Sequence, residues 1–125
     1  METLIKLLSL ISVQVLFTVN PIKPGQYSTN KVITIDQNCL FKHVVLQHEF
    51  VHALQHYVWQ FDILPLPNFV VGEQQTKYAE TVLLEVYTNS INRVDIDQHN
   101  EYQAICCELA TIKELIELFY KHVKQ

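Results

Sequence analysis

Two histidines four positions apart, His48 and His52, enclose Glu49 and are the residues of this chain best suited to chemistry. On an α-helix, side chains four residues apart stand about 5–6 Å apart on one face. Both imidazoles can therefore reach one Zn²⁺ ion, whose bonds to nitrogen are roughly 2.0–2.1 Å long. Glu49 is rotated off that face but can reach a water molecule bound to the ion and act as its general base. The spacing predicts one Zn²⁺ ion and a hydrolysis that depends on Glu49.

The residues around this motif have the apolar spacing of a partly buried helix. No glycine or proline lies between residues 38 and 62. Apolar side chains recur at helical intervals at Leu40, Phe41, Val44, Val45, Val51, Leu54, Val58 and Trp59. This pattern predicts a helix over about 40–60. The alternative is that the two histidines are only polar positions of an amphipathic helix.

Two further histidines, His43 and His56, are predicted to lie outside the metal site. His56 follows the motif by another four residues, and three such positions drift around a helix, so they cannot easily converge on one tetrahedral ion. We expect His56 to be a surface residue or a support for the ligands, and His43 to be exposed. The metzincin pattern would need Gly at 55 and His at 58. Gln55 and Val58 stand there instead, which excludes it.

The third metal ligand should follow the motif helix, because a catalytic zinc site usually has three protein ligands and leaves the fourth position to water. Prolines within 65–67 end the first helix, and Asn68 can cap a second helix that reaches about Ser90. Glu73 lies in the first turns of this second helix, and Glu80 lies seven residues further on nearly the same face. Either carboxylate is a candidate.

These two segments resemble the zincin metallopeptidases, and within them the gluzincin branch typified by thermolysin. In that branch a glutamate ligand on a second helix follows the motif helix by about twenty residues, and Glu73 follows His52 by 21 residues. Residues 66–78 also resemble the Leu-Pro, aromatic, aliphatic and Glu-x-x-small pattern of gluzincins, with Thr76 as the small residue. The resemblance implies Glu73 as the third ligand, with Glu80 as the alternative.

The resemblance covers about residues 30–90 and has two departures. Gly72 looks like a one-residue insertion, and Lys77 stands where thermolysin-like proteins carry an aspartate that orients a zinc-binding histidine. What the resemblance implies is a zinc-dependent metallopeptidase that hydrolyses peptide bonds in a peptide or protein substrate. In such enzymes a downstream His or Tyr donates a hydrogen bond to the developing oxyanion. The available donors are His99, Tyr102 and Tyr87.

Two other functions fit the same residues. One is a zincin-fold module whose metal site is structural or vestigial and whose task is to bind or regulate a partner protein. Lys77 in place of an orienting acid and the short chain favour it. The other is a purely structural helical bundle in which the motif is a coincidence.

The order of patterns along the chain predicts an α+β fold, with a short sheet or hairpin packed on the motif helix, a glutamate-bearing helix and a C-terminal helix. The expected elements are a helix over 2–10, a strand over 12–19, a turn over 21–26, a strand over 31–36, a loop over 92–100 and a helix over 101–123. One strand edge could hold an extended peptide by main-chain hydrogen bonds. An alternative for the apolar N-terminus is a signal peptide or membrane anchor.

Composition restricts the remaining possibilities. The chain has 125 residues, 49% of them hydrophobic, which suffices for one core, so we expect a single domain over 1–125. A net charge of −4 with only nine Lys and Arg argues against a nucleic-acid surface, and the interrupted N-terminus does not favour a membrane span. Cys39, Cys106 and Cys107 are predicted to be reduced thiols, which is typical of an intracellular protein.

Overall fold

The sheet and the helices of this computed structural model are described for residues 1–20, 22–59, 73–87 and 96–123. The elements in chain order are α1 (Glu2–Leu10), β1 (Gln14–Thr18), β2 (Gly25–Ser28), β3 (Val32–Asp36), α2 (Lys42–Trp59), α3 (Glu73–Tyr87), α4 (Ile96–Cys107) and α5 (Ile112–His122). The predicted α+β class is confirmed. The predicted α1, the two predicted strands and the motif helix all occur close to their expected positions.

The three strands form a sheet in the order β1-β3-β2, with β1 parallel to β3 and β2 antiparallel to it. The prediction missed β2, because Gly25 and the prolines before it read as a turn. A tight loop joins β2 to β3, and in it Lys31 adopts a left-handed conformation with φ of 67°. Lys31 donates its backbone N–H to the Ser28 carbonyl, so the hairpin closes with a left-handed residue in the position that three-residue loops require.

The main core lies between α1, α2, α5 and the sheet. Leu4 and Leu8 of α1 are fully buried, as are Phe50 of α2 and Phe119 of α5, and the rings of Phe50 and Phe119 lie 6.3 Å apart between centroids. The apolar N-terminal segment is therefore part of the core. Within the described part of the chain, none of the helices combines the length and the apolar character that crossing a bilayer would require.

Gly25 allows β2 to lie directly against α2. A Cβ atom at this position would overlap Cγ1 of Val45 and would come within 3.3 Å of Cγ of Glu49. A side chain at residue 25 would therefore push the edge strand away from the motif helix. This close approach brings the start of β2 next to the residues that the sequence singled out for chemistry.

The C-terminal half differs from the prediction in two ways. Residues 96–100, predicted as a loop, form the first turns of α4, and the single helix predicted over 101–123 is broken between Cys107 and Ile112. A capping box starts α5, because the Thr111 hydroxyl accepts from the Glu114 N–H while the Glu114 carboxylate accepts from the Thr111 N–H. This Thr-x-x-Glu pattern is readable in the sequence. The capping pattern therefore predicts the helix break, whereas the apolar spacing alone does not.

The second predicted helix, 68–90, contains α3. Its proposed cap at Asn68 and its last residues, 88–90, lie outside the described residues.

Candidate metal centre

Three acceptor groups from α2 and α4 converge at one point. The Nε2 atoms of His48 and His52 lie 3.1 Å apart. The Glu101 carboxylate spans the two rings, with Oε2 at 3.2 Å from the His48 Nε2 and Oε1 at 2.8 Å from the His52 Nε2. Within the described ranges, these three residues are the group of His, Cys, Asp and Glu side chains able to hold a metal ion.

The hydrogen bonds around His52 fix which of its nitrogens faces the centre. The Nε2 amide group of Gln55 donates to two oxygens, the Asn100 carbonyl at 3.0 Å and the Gln103 Oε1 at 2.7 Å. The Oε1 atom of Gln55 must therefore be the one that lies 2.8 Å from the His52 Nδ1. An amide oxygen can only accept, so Nδ1 carries the hydrogen, and in the neutral ring the Nε2 lone pair points at the centre.

His48 is oriented by a carboxylate in the same way. Its Nδ1 lies 2.8 Å from the Glu108 Oε2, and the other oxygen of Glu108 accepts a hydrogen bond of 3.1 Å from the Tyr78 hydroxyl. A histidine that ligates a metal almost always donates its outer N–H to a carboxylate or carbonyl, which fixes the ring and raises its basicity. Both motif histidines have such a partner, Glu108 just after the end of α4 and Gln55 in α2.

The convergence of two Nε2 lone pairs and a carboxylate requires a cation between them, which can be a proton or a metal ion. In the metal-free protein a proton meets this need. Burial lowers the pKa of His48, but its hydrogen bonds to Glu101 and Glu108 and the negative charges of Glu101 and Glu49 raise it to about 10. Burial likewise raises the pKa of Glu101, yet the hydrogen bonds of His48 and His52 hold it well below its ordinary range.

The same geometry fits a metal ion. Two ligand atoms that are each roughly 2.0–2.1 Å from a tetrahedral ion lie about 3.3 Å from one another. The two Nε2 atoms are 3.1 Å apart, and each lies 3.2 or 2.8 Å from the nearer oxygen of Glu101, so these groups need to separate by only a few tenths of an ångström. The group is therefore compatible with one metal ion, held by two imidazoles and one carboxylate.

Comparison with known proteins does not assign a family to this chain. No protein family matches the chain, and neither the curated proteins nor the solved structures include a significant match. The functional argument therefore depends on the residues and distances of this chain.

A cleft of about 270 Å³ opens beside the centre. Its walls are formed by the start of β2, the first turns of α2 and the end of α4, and its lining residues are Pro24, Gly25, Val44, Val45, His48, Glu49 and Glu108. The side chain of Glu49 is buried, and this burial raises its pKa, although the charges of His52 and His48 and a hydrogen bond from the Tyr27 backbone act in the other direction. Glu49 thus lines the same cleft as His48.

The structure brings Glu101, and neither Glu73 nor Glu80, to the two imidazoles. Glu73 is 84% exposed and pairs with Lys77 at 3.4 Å, while Glu80 is exposed on α3. Neither predicted candidate for the third ligand therefore lies at the two imidazoles, where the structure places Glu101. Glu101 was missed because the polar run before it was read as a loop, which put it at the start of a helix assigned only to the core.

A usable sequence signal for Glu101 and Glu108 did exist, within the helix predicted over 101–123. Glu101 and Glu108 are seven residues apart, and positions seven apart lie on nearly the same helical face. The same rule applies to Glu73 and Glu80. Sequence spacing alone could not show which of the two acidic helices faces α2.

The other histidines and the proposed oxyanion donors differ in where they lie. His43 is exposed, as predicted, and Nδ1 of His56 lies 2.6 Å from the Tyr27 hydroxyl, away from the centre. Tyr102 packs with Ala79 between α3 and α4. The side chains of His99 and Tyr87 lie outside the described part of the structure.

The three cysteines are free thiols, as predicted, and Cys106 and Cys107 are buried. Burial raises the pKa of Cys106 to about 11 and that of Cys107 to about 12. Thiols with such pKa values are poor nucleophiles at neutral pH, which argues against cysteine-based catalysis at these two positions.

Proposed function

We propose that the chain is a zinc-dependent metallopeptidase of the zincin type, in which His48, His52 and Glu101 hold one Zn²⁺ ion and Glu49 is the general base. The observation that carries the proposal is the convergence of two Nε2 lone pairs and a carboxylate, with each Nδ1 fixed by an acceptor. Two histidines and one glutamate are a donor set typical of catalytic zinc in peptidases.

A bound zinc ion would supply a Lewis acid that lowers the pKa of water and polarises a carbonyl group. The protein's own part is carried by Glu49. Its raised pKa keeps it basic enough to accept a proton from the attacking water and acidic enough to return that proton to the leaving amine. The Tyr27 backbone and the packing of Gly25 against α2 hold the Glu49 side chain in the cleft.

The edge strand β2 is the feature that favours a peptide as substrate. It lies at one edge of the described sheet, and Gly25 at its start lines the cleft next to Glu49. An extended peptide can add to such an edge by main-chain hydrogen bonds, which bind it irrespective of its side chains. The scissile bond would then lie across the first turns of α2.

The alternative is a catalytically vestigial zincin-fold module that binds or regulates a partner protein. Its main support was Lys77, which replaces an orienting aspartate on the second helix. Because Glu108, one residue after the end of α4, lies 2.8 Å from the His48 Nδ1, a carboxylate from outside the second helix can take the orienting role. The observation that favoured the alternative therefore loses its force.

The decisive experiment compares Glu49→Gln with the wild-type protein. We expect the variant to retain about one zinc per chain, measured by mass spectrometry of the metal, while cleavage of a peptide library disappears. Glu73→Gln is the matched control and should change neither property. Wild-type rates in the Glu49→Gln protein would refute the mechanism, and unchanged metal content in a His48→Ala, His52→Ala double variant would show the motif to be a coincidence.

A further inference from the structure

An exposed apolar surface lies on two loops at one end of the sheet. Its four members, which we call the apolar rim, are Val19, Ile22, Leu40 and Phe41, with exposed fractions of 64%, 87%, 89% and 63%. Single exposed apolar side chains are common on any protein. Here four large ones lie on two loops at the same end of the sheet, and groups of exposed apolar side chains mark binding surfaces.

Asp36 holds the two loops together, so the rim has a defined structure. The Asp36 Oδ1 accepts from the Asn20 N–H at 3.2 Å and from the Asn38 N–H at 3.3 Å. Its backbone N–H donates to the Pro24 carbonyl at 2.8 Å. One residue thus ties the loop that carries Ile22 to the loop that carries Leu40.

The rim continues into the cleft of the metal centre. Ile22 precedes Pro24 by two residues, and Pro24 lines the cleft. The Phe41 carbonyl accepts from the Val45 N–H, so Phe41 stands one helical turn before Val45 on the same face of α2. One further turn leads from Val45 to Glu49. Pro24 and Val45, which line the cleft together with Glu49, therefore connect the rim to the proposed general base.

We propose that the rim binds the large apolar side chains of an extended polypeptide substrate, on one side of the bond to be cleaved. This inference rests on the proposed function and names the substrate class. Eight residues of helix separate Phe41 from Glu49, which is about 12 Å, and an extended chain covers that distance in three to four residues at about 3.3 Å each. The favoured substrates carry apolar residues about three or four positions from the scissile bond.

The test measures binding in the zinc-loaded Glu49→Gln protein, which separates binding from hydrolysis. Two fluorescein-labelled twelve-residue peptides of Gly and Ser are compared. One carries a Leu-Phe pair near its centre, and the other carries Ser-Asn at the same two positions. Fluorescence anisotropy should show the Leu-Phe peptide binding about tenfold more tightly. Adding Leu40→Ser with Phe41→Ser, or Ile22→Ser alone on the other loop, should remove most of this preference.

The matched controls are Leu10→Ser and Tyr120→Ser, which change apolar side chains that are 60% and 52% exposed but do not belong to the rim. Both should leave the preference intact. Equal affinity for the two peptides, or an equal loss in the controls, would overturn the proposal. The proposal would also be overturned if the rim variants kept the peptide preference but lost co-sedimentation with phosphatidylcholine vesicles, which would indicate a membrane surface. Loss of a dimer in sedimentation velocity, again with the peptide preference kept, would indicate a second copy of the chain. Because the readout is binding, a protein that binds the Leu-Phe peptide without cleaving any peptide would refute the proposed function, while peptide binding by the rim would still be established.

Discussion

The motif helix α2 has two buried sides of opposite character. One side contributes Leu46, Phe50 and Leu54 to an apolar core with α1 and α5, while the other contributes Gln47 and Gln55 to a polar interface with α4. Buried polar groups stabilise a fold only when every partner is in place. The apolar side therefore serves folding, and the polar side, where His48 and His52 also lie, serves to place charged groups with accuracy.

Removal of a core ring should have the largest effect on stability. Phe119→Ala should lower the free energy of unfolding by about 3–5 kcal/mol, because it removes a large side chain from a closely packed cluster. Chemical denaturation of the metal-free protein measures this. Zinc affinity of the folded fraction should be unchanged. A large loss of affinity without a loss of stability would contradict the division between the two sides of α2.

Loss of the third ligand should have the converse effect. Glu101→Gln keeps the shape of the side chain but removes its charge, so we expect zinc affinity to fall by about a hundredfold or more, with a modest change in metal-free stability. Competition with a chelator measures the affinity. Glu73→Gln and Glu80→Gln are matched controls. If either reduced affinity as strongly as Glu101→Gln, the ligand assignment would move to α3.

The orienting carboxylate should have a smaller effect. Glu108→Gln should weaken zinc binding by about 10–100-fold, because loss of a partner to a ligating histidine has that cost in metal sites generally. Tyr78→Phe, one hydrogen bond further out, should weaken it less. Isothermal titration gives both values. A reversed order would show that the Tyr78 hydroxyl acts on the centre by a route that does not pass through Glu108.

A change of pH is the mildest way to disturb the polar side. The pKa of His48 rises on folding from 6.5 to about 10, so its contribution to metal-free stability is complete below pH 6.5 and is lost as pH rises through 10. The pKa of Glu101 is lowered, so its contribution is present above its ordinary pKa and is lost in acid. Metal-free thermal stability should therefore decline from pH 6.5 to 10. Zinc affinity should rise over the same range, because zinc must displace the proton. A metal-free protein that gained stability over this range would contradict the assignment.

The two sides of α2 also differ in how far the sequence predicts them. The apolar side follows from local periodicity, and so do α1, α2, β1 and β3. The polar side depends on contacts between residues about 60 positions apart, such as Gln47 with the carbonyls of Cys107 and Ala110. Local spacing identifies His48, Glu49 and His52 as a unit. It cannot rank Glu73 against Glu101, because that choice is made by which helix docks on α2.

The buried thiols near the end of α4 give this docking a natural reporter. Cys107 lies where the Gln47 amide binds the last carbonyls of α4, and its sulfur is shielded from solvent. A thiol reagent can reach it only when the core around this end of α4 opens, so the rate of alkylation measures how often that opening occurs. Zinc bridging the two helices should slow this reaction, and the native chain would report its own metal occupancy without an added label.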